Sequence, residues 1–126
     1  MGREERAHLG RRAEELAARA LEAAGMQILE RNWRRPEGEL DLIARDADGT
    51  CVFCEVRSRT GEAYGDALEA VGPRKRARVI RAARLYLSAE TVDATGYRFD
   101  VVAVTFLDEG QPPRVVHIPA AFEVTG

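Results

Sequence analysis

Lysine is nearly absent from this chain: of its 19 basic side chains only Lys75 is a lysine, and the rest are arginine. Arginine stays protonated and cannot serve as a base, so any task that needs a titrating amine falls to Lys75. Cysteine is limited to Cys51 and Cys54, too few for a disulfide framework. Three apart in a strand, they face opposite sides, which excludes a shared metal or a mutual disulfide and leaves both as small core residues. Charge of one sign does not dominate either. A net charge of −2 names no partner through global electrostatics, although a local basic face still can. No apolar run approaches the roughly 18 residues needed to span a bilayer, and the charged start, Gly2-Arg3-Glu4-Glu5-Arg6, is unlike a signal peptide. The expectation is a cytoplasmic protein with no membrane partner.

What is present is enough for one domain: 126 residues, 45% of them hydrophobic, give room for a single sizeable core. The most informative stretch runs from Gly38 to Arg59. In its first half Leu40, Leu42 and Ala44 alternate with Glu39, Asp41 and Ile43, and in its second Val52, Cys54 and Val56 alternate with Phe53, Glu55 and Arg57. Both halves are therefore expected to be strands, each with one apolar and one mixed face. Asp48-Gly49 signals a hairpin, and a three-residue loop at 47–49 with Gly49 left-handed pairs Asp46 with Thr50. That register sets Asp41 opposite Glu55, with Cβ atoms roughly 4.5–5.5 Å apart, where two carboxylates repel unless a cation or a shared proton compensates. The stretch has the character of an acidic site.

In chain order, a first helix is expected over about Glu4 to Ala24, with Leu9, Ala13, Leu16, Ala17, Ala20, Leu21 and Ala24 on one stripe and Gly25 ending it. Glu14 lies about 100° from the centre of that stripe, where it can reach a sheet edge or simply be solvated. Met26–Arg34 is a strand ahead of the Pro36-Glu37-Gly38 turn, with Asn32 and Arg34 on one face and Arg31 on the other. A loop over 60–66 and a helical turn over 67–71 lead to a second helix from Pro73 to about Ser88. Val79, Ile80, Ala83 and Leu87 face inward there, with Tyr86 and Lys75 at the margin. Arg74, Arg78 and Arg81 form an outward stripe, which is either an ordinary solvated face or a track for a phosphate backbone. Tyr97–Leu107 is apolar enough for a central strand covered on both faces, with Asp100 buried beside an arginine or backbone partner. Arg114–Ile118 is a last strand in which His117 has a structural role, and Pro119–Phe122 is a short cap. Helix, three strands, helix and two strands make an α/β domain with a mixed sheet.

Asp41 followed by Glu55-Val56-Arg57 on the next strand, after a helix carrying Glu14, resembles the D…(E/D)-x-K core of restriction-endonuclease-like nucleases, which include the Holliday-junction resolvases. The resemblance implies a restriction-endonuclease-like mixed β-sheet of about five strands flanked by helices. It implies Mg²⁺ or Mn²⁺ on Asp41 and Glu55, with Glu14 as a further ligand. The chain is closer still to the YraN-like bacterial family over nearly its whole length. The matching motifs are Gly10 with Glu14, Arg31-Asn32-x-Arg34, Gly38–Ile43, Val52–Arg57 with Arg59, Lys75, Tyr86-Leu87, Arg98–Val102 and Ala121-Phe122.

The chemistry suits these residues on its own terms, because a hard divalent cation takes carboxylate oxygens and keeps several waters. Arg34, Arg57, Arg59 and the Arg74/Arg78/Arg81 stripe are candidate phosphate contacts. The superfamily's lysine assists the attacking water, and Arg57 stands in its place. Arg57 then stabilises charge, and Lys75, on the neighbouring helix, is the one lysine that can take the missing role. Three functions follow in order: a metal-dependent nuclease acting on branched or damaged DNA or on RNA; a nucleic-acid-binding protein that kept the fold and lost catalysis; and a protein-interaction module with an acidic structural cluster. A homodimer is compatible with each.

Overall fold

The computed structural model describes residues 2–60, 71–90 and 94–123. The expected loop at 60–66 and helical turn at 67–71 fall almost wholly outside them. Helix α1 spans Arg3–Ala23 and stops where Gly25 takes a left-handed φ of 92°, as the expected stop signal requires. Strands β1 (Gln27–Arg35), β2 (Gly38–Arg45) and β3 (Thr50–Thr60) follow as an antiparallel meander. Helix α2 (Pro73–Ala89) crosses to β4 (Gly96–Phe106), which lies parallel to β3, and β5 (Arg114–Phe122) closes the sheet antiparallel to β4. The order β1-β2-β3-β4-β5 makes a five-stranded mixed sheet with β3 at its centre. Among the described residues no helix is long and apolar enough to cross a membrane.

Each sheet face has its own core. Ala13, Ala17, Ala18 and Leu21 of α1 pack on Leu42, Ala44, Val52, Cys54, Val102 and Val104, whereas Val79, Ala82, Ala83 and Tyr86 of α2 pack on Ile43, Phe53, Phe99 and Val101. Small residues on both helices bring the backbones close to the sheet, and the aromatic chain Trp33–Tyr86–Phe53–Phe99–Phe122 fills the α2 side. Cys51 and Cys54 fall into opposite cores as free thiols, and burial pushes both thiols up, to about 11 for Cys51, which leaves them unreactive.

Four expectations are corrected. Leu40 does not share a core with Leu42 and Ala44: it pairs with Trp33 and packs on the α2 side. The cause lies next door, where Asn32 takes φ 51° and rotates β1 between Arg31 and Trp33, and β2 follows through the ladder. For the same reason Asn32 and Arg31 do not point apart; both reach α1, Asn32 to Glu14 and Arg31 to Glu15. Residues 119–122 are not a cap but continue β5, past an irregularity in the ladder where Ala120 takes φ 50°. Tyr86, expected at the margin, is buried against Trp33 and Phe53.

Candidate metal and phosphate site

Gly49 is left-handed at φ 91°, and the Asp46 amide donates to the Thr50 carbonyl at 2.9 Å, so the β2–β3 turn has the expected form. The ladder runs from Arg45 opposite Cys51 to Leu42 opposite Cys54, and one further step in that register brings Asp41 to Glu55. Here the strands part. The Val56 amide donates to Asp41 Oδ2 at 2.9 Å, so a side chain takes over where the backbone ladder ends.

Glu55 is 1% exposed, and no well-formed hydrogen bond reaches either carboxylate oxygen, though the Lys75 ammonium and the Asp41 backbone lie close enough to favour its charge. Its compensation is ionic: Lys75 Nζ, at the N-terminal end of α2, lies 3.3 Å from Oε1. Burial is the largest influence on Glu55 and the Asp41 charge the next; together they outweigh Lys75 and push its carboxyl up to about 7. Burial likewise raises Asp41, against the Val56 hydrogen bond and the Lys75 charge, with Glu14 and Glu39 adding repulsion. A buried carboxylate pair sharing one lysine is short of positive charge.

The shift of Glu55 sets a pH signature. Its folded carboxyl titrates near 7, above the ordinary 4.5, so its contribution to stability is fully present below about pH 4.5 and lost as pH rises through about 7. Glu55→Gln should remove that slope, at most about 1.4 kcal/mol per pH unit. In thermal melts the variant should gain on the wild type between these pH values and hold a constant difference above them. A difference that does not vary with pH would show Glu55 ionised throughout. Unpairing Lys75 adds only a constant offset over this range, so the slope is the diagnostic quantity.

The other expected site residues divide. Glu14 is near enough to repel Asp41, but its Oε2 accepts from Asn32 Nδ2 at 3.0 Å. Among the described residues no three His, Cys, Asp or Glu side chains already stand close enough together to hold a metal ion. Arg57 and Arg59 follow Glu55 at two-residue steps along β3, both partly exposed and paired in the ladder with Ala103 and Thr105. Arg34 and Arg78 line a cleft of about 320 Å³ between the β1–β2 hairpin and α2, with Lys75 at the same cleft. Arg74 and Arg81 are exposed on α2 outside its lining. The sequence reading missed Arg35, which also lines the cleft; its signal was the two-residue spacing from Trp33, over whose ring its guanidinium lies at 4.5 Å.

A second buried carboxylate is fully provided for. Asp100 is 0% exposed and takes Arg98 Nε at 3.0 Å, the Ala120 amide at 3.0 Å and His117 Nε2 at 2.8 Å, while Arg98 Nη1 reaches on to Asp46 at 2.8 Å. The structural roles expected of Asp100 and His117 stand. This network joins β4 and β5 to the end of β2.

A five-stranded mixed sheet between two helices, with an acidic pair where its first two central strands part, defines an α/β domain of the restriction-endonuclease-like class. The model of the Uncharacterised protein family UPF0102 matches residues 13–104. A UPF0102 protein of Frankia casuarinae is 49% identical over 114 residues, covering 90% of this chain and 95% of its own. One from Syntrophotalea carbinolica is 43% identical over 122 residues, 97% of each chain, and one from Anaeromyxobacter dehalogenans is 50% identical over 118, covering 94% of this chain and 86% of its own. The chain belongs to the UPF0102 family.

Proposed function

We propose that this protein is a metal-dependent nuclease that hydrolyses phosphodiester bonds in DNA or RNA at Asp41 and Glu55. The observation that carries the reading is Glu55: a fully buried carboxylate beside a second carboxylate, with the Lys75 ammonium as its ion-pair partner and burial and the Asp41 charge outweighing what favours its ionisation. That donor set fits a hard divalent cation such as Mg²⁺ or Mn²⁺, which binds few protein oxygens and keeps its waters. Asp41 and Glu55 would hold it, and Glu14 would join only by leaving Asn32. When bound, such a cation activates water and neutralises charge on the phosphodiester.

The chain's own groups divide the remaining work. Asp41 is oriented by the Val56 amide, and Glu55 by its burial between strand neighbours. Lys75 holds the charge balance at Glu55 and is assigned the help to the attacking water that Arg57, always protonated, cannot give. Arg57 supplies fixed positive charge toward a phosphate.

The test is a cleavage screen of the full-length protein on single-stranded, duplex and branched DNA and on RNA, with Mg²⁺ and with Mn²⁺. Lys75→Met should lower turnover at least about tenfold while changing nucleic-acid affinity less, since its task is in the chemical step. Arg57→Lys should keep activity or raise it. Wild-type-like cleavage by Lys75→Met together with a dead Arg57→Lys would reverse the two roles. Salt-dependent binding with no cleavage of any substrate would replace the nuclease by a nucleic-acid-binding protein of the same fold.

A further inference from the structure

The cleft beside Lys75 is lined by four cations and one carboxylate: Arg34, Arg35, Lys75 and Arg78 against Glu39. Two of the cations are spoken for, since Arg34 Nε lies 3.3 Å from Glu39 and Lys75 lies 3.3 Å from Glu55. Among the described residues Arg35 and Arg78 form no ion pair. Arg35 is nevertheless held in place: one face of its guanidinium covers Trp33 and Nη1 donates to the Arg34 carbonyl at 2.6 Å. A guanidinium fixed in this way presents its remaining N–H groups at little entropic cost.

The cleft is also bounded on its Gly38 side by close packing. At Gly38 the hairpin meets α2 so tightly that a Cβ would stand 3.2 Å from both Ala82 Cβ and the Arg78 carbonyl oxygen. From Lys75 to Ala82 is seven residues of helix, roughly 10 Å. A strand whose reacting phosphate lay at Asp41 and Glu55 would thus have room for only one or two nucleotides before this wall. A phosphomonoester carries about −1.5 to −2 charges and three terminal oxygens, more than an internal diester offers to two guanidinium forks.

We propose that this cleft is a terminal-phosphate pocket, in which Arg35 and Arg78 grip the phosphomonoester at the end of a nucleic-acid strand. Resting on the nuclease reading, it further assigns cleavage to the first or second linkage from that end.

The experiment measures binding of the full chain, in EDTA, to one single-stranded DNA sequence with a 5′-phosphate, a 3′-phosphate or hydroxyls at both ends. One phosphorylated form should bind at least about tenfold tighter than the hydroxyl form, a preference lost in Arg78→Ala and in Arg35→Gln. The second variant guards against a folding effect in the first, and melts of both verify the fold. Equal affinities for all three strands would overturn the proposal, as would a preference surviving in both folded variants. Inorganic phosphate binding as tightly as the phosphorylated strand would overturn it too, by making the cleft a free-anion site. The measurement contains no metal. End preference without any cleavage therefore keeps the pocket and removes the nuclease, whereas Asp41-dependent cleavage without end preference does the reverse.

Discussion

Asp41→Asn or Glu55→Gln is expected to lower phosphodiester cleavage by at least about 1000-fold, a loss of roughly 4 kcal/mol of transition-state stabilisation. Melting temperatures should hold or rise. Both carboxyls are pushed up by burial, so the fold bears a cost for their ionisation at neutral pH, and an uncharged isostere removes it. Asparagine at 41 still offers an oxygen to the Val56 amide, which alanine would leave unpaired. Calorimetry with Mg²⁺ should lose its binding heat in the same variants. Retained cleavage in either folded variant would remove Asp41 and Glu55 from the chemistry.

The opposite pattern is expected at Asp100. Asp100→Ala should reduce unfolding free energy by about 3–5 kcal/mol, because it strands a buried guanidinium edge, an amide and an imidazole nitrogen at once. Denaturant titration at neutral pH measures the loss. Asp100→Asn should lose less, since it keeps an acceptor for the Ala120 amide. An unchanged denaturation midpoint in Asp100→Ala would mean that Arg98, Ala120 and His117 are satisfied in other ways. Asp41 and Glu55 thus trade stability for chemistry, whereas Asp100 contributes stability alone.

Much of this was legible in the chain itself. The alternation from Gly38 to Arg59 and the Asp48-Gly49 turn are local signals, and together they set the register that brings Asp41 to Glu55. Lys75 was placed at the margin of α2 by helical periodicity, and the margin is where it meets Glu55. What escaped depends on contacts distant in sequence or on single backbone angles. Period-two reasoning assumes an unbroken strand, so the left-handed Asn32 moved Leu40 to the other core and turned Asn32 toward Glu14. The cleft around Arg35 arises from the hairpin packing on α2, a tertiary contact that no local pattern encodes.

Among the described residues Asn32 and Ala120 are the non-glycine positions with left-handed backbone, and they lie on β1 and β5, the two outer strands of the sheet. An outer strand exposes a row of free amides and carbonyls that invites another chain to pair, and in this protein β5 also carries the exposed Val115 and Val116. A left-handed residue breaks that row, and Pro119 removes one more donor beside Ala120. β1 is kinked in its second half and lined with Glu30, Arg31, Arg34 and Arg35. Neither border therefore offers a long flat template for sheet-to-sheet aggregation, and on β5 the run open to an added strand is confined to Arg114–Ile118.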